Sequence, residues 1–379
     1  MKIAIIRQKY ASYGGAEKFS EQYINCLAQL GYEVHIFARE WIISGLPNVH
    51  LHPISVKSKS STLRLLEFNK EIERELPKYS FDLIQSHERT KFQDIYRAGD
   101  GCHKEWLAQR KKYYPVKGWL SFLNPFHRTV LKIEREIFAP KNYKKIVAIS
   151  QMVKKDIQLH YKLSDDDISV IYNGTSLKRF NPNNYSKYYG YIRQKLNIPP
   201  NAISILMVGS GFERKGLEFL VKSLKFLDFE DWRLIVIGKG NWTRYRRYAS
   251  WKNRKKLIHI PPPIEKIEQY YAAADIFILP SLYEPFGNAN LEALASGLPV
   301  ITSKNSGAAE LITHKLNGMV VQNPGNCREI ATHINYLYNK SIRNLMGQKA
   351  RALAEGYSQE KNIEEMIGLY KDLELILKN

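Results

Sequence analysis

Ile3 to Ile6 form a short apolar run, and after a polar loop through Gly14 and Gly15 the residues Phe19, Tyr23, Ile24, Leu27 and Leu30 recur at the spacing of one helical face. Gly31 ends that stretch. Glu33 to Ala38 then reads as a second strand, so the chain opens on a β-α-β unit. Further strands are predicted at Asp82 to Gln85, Lys145 to Ile149 and Ser169 to Ile171. Strands alternating with helices imply a parallel, doubly wound sheet.

The stretch Asn181 to Pro200, rich in Pro, Asn and Tyr, has the composition of a linker or surface excursion. Beyond it the pattern restarts. Strands are predicted at Ser204 to Val208, Arg233 to Ile237, Leu257 to Ile260, Ile276 to Leu279 and Pro299 to Thr302, with helices at Gly216 to Leu227, Ile264 to Ala273, Ala289 to Ser296 and Cys327 to Asn339. The expectation is an α/β protein of two Rossmann-like domains, 1–180 and 181–379, facing each other across a cleft. The C-terminal helix, about residues 360–379, is free to pack back on the first domain. Such sheets bind ligands outside the carboxyl ends of their strands, which places a ligand in the cleft.

Composition narrows the class. A chain of 379 residues with 44% apolar and 25% charged positions exceeds one ordinary core and has none of the bias of disorder or coiled coil. Cys26, Cys102 and Cys327 lie far apart with no CxxC pair, which argues against a disulfide framework or a structural zinc site and for a reducing cytosol. The apolar run before Arg7 is much shorter than the core of a signal peptide, and no stretch reaches about 18 apolar residues. A chain that neither spans a membrane nor is exported is expected. Lys and Arg number 57 against 37 Asp and Glu, a net charge of +20, so nucleic acid, anionic lipid and phosphorylated substrates are all attracted.

Residues 281–303, SLYEPFGNANLEALASGLPVITS, carry the densest chemistry. After the strand Ile276 to Leu279, a loop holds Glu284, Pro285, Phe286 and Gly287, and a helix holds Glu292. A glycine at a helix entrance lets backbone approach an anion that the unpaired first-turn N–H groups then attract. Two carboxylates, one before the helix and one within it, can reach different parts of one bound molecule. The spacing resembles the E-x7-E signature of retaining GT-B glycosyltransferases of family 4. Asp275-Ile276, Pro280-Ser281, the Pro-Phe-Gly triplet, Glu292-Ala293 and Gly297 to Val300 stand where that family has them.

The likeness extends along most of the chain. VIYNGTSLKRFNP (170–182) resembles the family's interdomain segment, with Ser176 at its usual acidic position; VGSGFERKG (208–216) resembles its diphosphate-binding strand and loop; and Gly14-Gly15-Ala16-Glu17 resembles its glycine-rich acceptor-domain loop. The loop Lys9 to Gly15 and RAGDGCHKEWLAQRKKYY (97–114) are most similar to lipopolysaccharide core glucosyltransferases of the WaaG type.

The resemblance implies roles. Arg214 and Lys215 stabilise the leaving diphosphate, Glu284 contacts the donor sugar and Glu292 holds the ribose hydroxyls. Gly287, Asn288 and Ala289 present amides to the diphosphate beside Gly209 and Phe286, while Gly14 and Gly15 let the opposite backbone approach. Asp100, in a Gly-Asp-Gly turn, is either the acid beside the donor sugar or a turn former. His87 and His103 are either sugar or acceptor contacts or structural hydrogen-bonders. Retention without a glycosidase-like carboxylate pair implies a front-face transfer, and the cationic pair implies that neither metal nor cofactor is needed. The implied reaction moves a hexose from a nucleotide sugar, UDP-glucose first among them, to a lipopolysaccharide core or related glycolipid.

Between Cys102 and Arg128, six basic residues and one acid are interleaved with aromatics. Lys104, Trp106, Arg110, Lys111, Lys112 and Trp119 are read as a peripheral contact with anionic membrane, on the cytoplasmic face, because cations meet headgroups while Trp and Tyr settle at their depth. The alternative is an insertion with a solvated basic face. Arg244 to Lys256, with seven basic residues, is open between a nucleic-acid patch, a solvated helix face and a second lipid contact. A nucleic-acid-binding protein on a Rossmann-like scaffold is therefore the rival function, though no recognisable binding motif supports it and it leaves E-x7-E without a purpose. A nicotinamide-dependent oxidoreductase would want G-x-G-x-x-G after the first strand, where this chain has Gln8 to Gly15.

Overall fold

A computed structural model describes residues 1–8, 23–40 and 45–378, the last four in backbone only. Gly14 and Gly15 lie outside the described residues. The chain divides into two compact units, Met1–Ile171 and Tyr172–Asn379.

Unit 1 is a seven-stranded parallel sheet of β1 Lys2–Ile6, β2 Glu33–Ala38, β3 Val49–Pro53, β4 Leu83–Ser86, β5 Ile95–Ala98, β6 Lys145–Ala148 and β7 Ile168–Val170, in the order β3-β2-β1-β4-β5-β6-β7. The near-continuous apolar character of β1 and β2 follows from burial on both faces, as parallel sheets require. One cover is the helix Ser61–Glu75, whose Phe68 and Ile72 close on Ala4, Ile6 and Phe37. Tyr23, Ile24 and Leu27 of the helix at 23–29 are buried as its periodicity requires, but Leu30, past the last helical turn, is 56% exposed.

Unit 2 holds β8 Ile203–Val208, β9 Trp232–Ile237, β10 Leu257–Ile260, β11 Ile276–Leu279, β12 Val300–Ser303 and β13 Gly318–Val321, ordered β10-β9-β8-β11-β12-β13 and again parallel throughout. In both sheets the strand order reverses beside the first strand of the unit, between β1 and β4 and between β8 and β11. Such switch points leave a crevice at the carboxyl ends.

The stretch read as a linker is instead mostly the helix Asn184–Lys195. Its composition misled because the helix is held by one buried cation. Arg193 donates to Asp275 Oδ2 at 3.0 Å, Ser204 Oγ at 3.2 Å and the Pro199 carbonyl at 2.9 Å, tying the helix to the starts of β8 and β11. Arg351 similarly donates to the carbonyls of Phe180 at 3.0 Å and Ala295 at 2.8 Å. Predicted Gly216 to Leu227 resolves into the helix Leu217–Ser223 and a 3-10 turn, and Ile264 to Ala273 shortens to Glu268–Ala272.

Candidate functional site

The switch point of unit 2 is built from two loops. After β8, Gly209 donates its N–H to the Ile237 carbonyl at 2.8 Å and the chain turns through Arg214 and Lys215 into the helix Leu217–Ser223. After β11, the loop 280–287 leads into the helix Asn288–Ala295. The loops are stitched together by the N–H of Leu282, which donates to the Arg214 carbonyl at 2.8 Å. From the far side, Glu284 N–H donates to the Asn305 carbonyl and Gly307 N–H to the Glu284 carbonyl, fixing the carboxylate-bearing segment against the loop after β12.

This stitching brings three predicted charges together. Lys215 Nζ donates to Glu284 Oε2, and Arg214 Nη1 approaches the same oxygen at 3.4 Å while also donating to the Tyr283 carbonyl at 3.3 Å. Burial opposes ionisation of Glu284, but the two cations outweigh it and hold its carboxyl below the usual range. Burial lowers Lys215 despite Glu284. Lys215 is buried while Arg214 keeps about a third of its side chain exposed, so the guanidinium is the half of the pair that faces solvent.

Gly287 stands at the head of the helix Asn288–Ala295 with φ +89°, a conformation that L side chains rarely adopt; an added Cβ would also fall 2.6 Å from Asn290 Nδ2. Glycine therefore permits both the turn and the close approach of Asn290. The helix begins with no side-chain cap, and the Asn290 N–H turns back to the Gly287 carbonyl at 2.8 Å, so an acceptor at this entrance meets the amides of Asn288 and Ala289. Asn288 Oδ1 accepts from Asn173 Nδ2 at 2.7 Å, which draws the 170–182 segment to the helix mouth. Ala289 lies in the first turn. Phe286 is buried and lies near Tyr172, and its carbonyl accepts from Ala308 N–H, so its side chain fixes the loop from beneath. Glu292, one turn farther along, is buried with its carboxyl raised by burial, and it accepts from the Tyr271 hydroxyl at 2.7 Å. Tyr271 is a site-supporting residue that sequence reasoning missed; its aromatic character in a short helix reads only as core.

At the unit 1 switch point, β4 runs into His87, Glu88 and Arg89. His87 lies 2.6 Å from Gln85 Nε2 and is kept neutral by burial, which drives its pKa well below the ordinary value. Glu88, not foreseen, accepts from Gln8 N–H at 3.1 Å, and burial with the Asp100 charge pushes its carboxyl up to about 7. Arg89 spans Asp100 Oδ2 at 2.9 Å and Glu134 Oε1 at 3.2 Å. Asp100 is two-thirds exposed, so it is neither free nor hidden: one oxygen is held by Arg89 while the carboxylate faces water. Glu134 is fully buried and also accepts from His103 N–H at 2.7 Å and the Tyr161 hydroxyl at 2.9 Å. His103 meets His127 at 3.0 Å and is driven to about 3 by burial, then by Arg89. Glu88 and Arg89 gave one sequence signal, the polar triplet His-Glu-Arg directly after a strand end, and Glu134 gave none.

The predicted membrane segment forms three helices, His103–Tyr113, Pro115–Ser121 and Pro125–Ile137. A Cβ on Gly118 would stand 2.2 Å from Lys111 Cα, so glycine is what lets the first two helices touch. Arg110 Nη1 reinforces the contact by donating to Ser121 Oγ at 2.7 Å. With Gly118 and Ser121 turned inward, Val116, Trp119, Leu120, Phe122 and Leu123 are left exposed, Val116 at 75%. Lys104, Lys111 and Lys112 are exposed and Trp106 half-buried. Among the described residues no helix is long and apolar enough to cross a membrane. The second basic cluster breaks into the short helix Trp242–Arg246 and a 3-10 segment Trp251–Lys256, with Lys256 paired to Glu230 at 3.0 Å.

Comparison with known proteins bears on the family and the fold. Residues 13–179 match the family model Glycosyltransferase Family 4, and residues 191–353 match Glycosyl transferases group 1. The lipopolysaccharide glucosyltransferase WaaG of Escherichia coli K12 is 26% identical over 332 residues, 86% of each chain. A crystal structure of WaaG superposes with a TM-score of 0.80 at 24% identity, covering 96% of this chain and 98% of that one. Anabaena HepE in complex with UDP-glucose superposes at 0.71 and 17% identity, covering 98% and 100%.

Proposed function

This chain belongs to the GT-B glycosyltransferases, with a family 4 amino half and a group 1 carboxyl half, and from that premise we propose that it is a retaining, metal-independent hexosyltransferase. Its donor in this reading is a nucleotide sugar, UDP-glucose first, and its acceptor a lipopolysaccharide core or related glycolipid at the cytoplasmic membrane face. The observation that carries the proposal is the convergence of Arg214, Lys215 and Glu284 beside an uncapped helix entrance opened by Gly287.

The diphosphate sits on the first amides of the helix Asn288–Ala295, with Arg214 and Lys215 beside it. As the bond from the sugar's anomeric carbon to the β-phosphate oxygen breaks, charge grows on that oxygen, where the two cations stabilise it. The acceptor oxygen forms the new bond on the same face, and its proton passes to the departing phosphate. Glu284 contacts the sugar while holding both cations in place, Glu292 receives the ribose hydroxyls and Asp100 stands ready on unit 1. Lys104, Trp106, Arg110, Lys111, Lys112 and Trp119, with the exposed apolar residues around Trp119, seat the enzyme on anionic membrane.

Calorimetric titration with UDP, GDP and ADP, followed by transfer assays with the matching donors, tests this reading. Glu292→Ala should raise the donor KM, and replacing Arg214 and Lys215 by Ala should lower kcat on the order of a hundredfold. Unchanged turnover in the double variant rules out leaving-group stabilisation.

A further inference from the structure

At the amino-terminal ends of the unit 1 strands, opposite the switch point, β2 carries Glu33-Val34-His35-Ile36-Phe37 and β3 carries His50-Leu51-His52. Alternate residues of a strand share a face. The parallel register sets His35 beside His50 and Phe37 beside His52, so Glu33, His35, His50 and His52 gather on one face at the sheet's edge.

Three of these groups converge. Glu33 Oε1 lies 2.8 Å from His35 Nε2 and 3.8 Å from His50 Nε2, and all three ligand atoms fall within 4.8 Å of one another. Tetrahedral bonds of about 2.0–2.1 Å place ligand atoms roughly 3.3 Å apart, a spacing these side chains reach by small rotations. The fourth group supplies what a ligating imidazole needs on its other nitrogen: His35 Nδ1 stands 2.7 Å from His52 Nε2. His52 is itself fixed, stacked on Phe37 with ring centroids 4.5 Å apart and set edge-on to Tyr79.

We propose that Glu33, His35 and His50 bind a divalent first-row cation, zinc foremost, with water completing the shell and His52 as the positioning residue. Two imidazoles and a carboxylate are a ligand set that zinc accepts. Binding at His35 Nε2 moves that ring's proton to Nδ1, from which it is donated to His52; the proton His52 held at Nε2 shifts to its Nδ1, and none is lost. Glu33 and His50 are each nearly half exposed, which gives the ion an entry path. The opposing charge is Lys2, whose ammonium lies 3.5 Å from Glu33 Oε1 and must swing outward. Because β3 has β2 as its sole neighbour in the sheet among the described residues, the ion would cross-link an edge strand to the interior.

The full chain, stripped of metal by chelator and dialysed, is titrated with zinc chloride by calorimetry and followed by thermal unfolding. The expected result is one equivalent bound, with uptake abolished in His50→Ala and Glu33→Gln and a rise in unfolding temperature seen in the parent but in neither variant. His52→Phe should weaken binding on the order of tenfold while retaining it. Lys2→Ala should tighten it several-fold, an outcome that no purely structural role for the cluster produces. Circular dichroism establishes that the partly exposed His50 and Glu33 variants keep their fold. No uptake by the parent, or uptake undiminished in both variants, overturns the site.

Discussion

Lys215 is buried against Glu284, so removing Glu284 alone strands the ammonium, whereas Glu284 keeps Arg214 when Lys215 is removed. Removing one partner of such a pair costs about 3–5 kcal/mol, whereas replacing both by apolar residues of similar volume is often neutral. Glu284→Ala should therefore lower unfolding free energy by about 3 kcal/mol, while the double variant Lys215→Met, Glu284→Leu should stay within about 1–2 kcal/mol of the parent in urea. That same double variant should lose sugar transfer, which separates retention for chemistry from retention for stability. Glu88 provides a second test. Its carboxyl rises from 4.5 to about 7 on folding, so the folded chain keeps a proton that the unfolded chain has released. Stability from this group is present below pH 4.5 and falls as pH rises toward 7. Glu88→Gln should abolish that loss, gaining on the parent by roughly 2–3 kcal/mol between pH 5 and 8, read from unfolding curves at each pH. Glu88 and Arg89 left only a polar triplet after a strand end, and nothing linked it to Glu134, because carboxylates 46 positions apart carry no local pattern; Glu284 and Glu292 were legible, because one turn-and-helix motif holds both.

Among elements, those whose burial is total announced themselves. Near-continuous apolar runs such as Ile203–Val208 and Ile276–Leu279 were predicted almost to the residue. Strands β3, β5 and β13 were not, since β3 alternates with histidines, β5 contains Arg97 and β13 begins with glycine. The helix Asn184–Lys195 escaped because Tyr and Asn are weak helix formers and its anchoring comes from Arg193, a tertiary cause. The paired helices crossing at Gly118 carry a prediction at this scale. Changing Arg110, Lys111 and Lys112 to Gln should weaken association with phosphatidylglycerol vesicles at low salt by about 3 kcal/mol, near 1 kcal/mol per charge. Trp119→Ala should weaken it in a manner that added salt does not mimic. Binding undiminished in both variants places the contact elsewhere.

In the molecule as a whole, each unit has its own parallel sheet and its own core. A ligand that binds one folded unit stabilises that unit by mass action and leaves the other nearly unchanged. Saturating UDP should therefore slow amide exchange across β8, β11 and the helix Asn288–Ala295, with little change in β2 and β3. Protection spread evenly over both sheets contradicts a donor site confined to unit 2. The two-sheet plan was legible early, because strand and helix alternate twice. The division point was not, because the proline-rich composition drew attention to residues 181–200, whereas the compact units part after Ile171.

That displacement has a practical corollary for protein engineering. Arg193 and Arg351 rivet the segment following Ile171 onto the carboxyl half, so it travels with that half as an inseparable collar. A hybrid enzyme made by exchanging amino halves between relatives should be spliced between Ile171 and Tyr172. A junction at Pro199 and Pro200 would graft a foreign collar beneath β8 and leave Asp275 without its guanidinium.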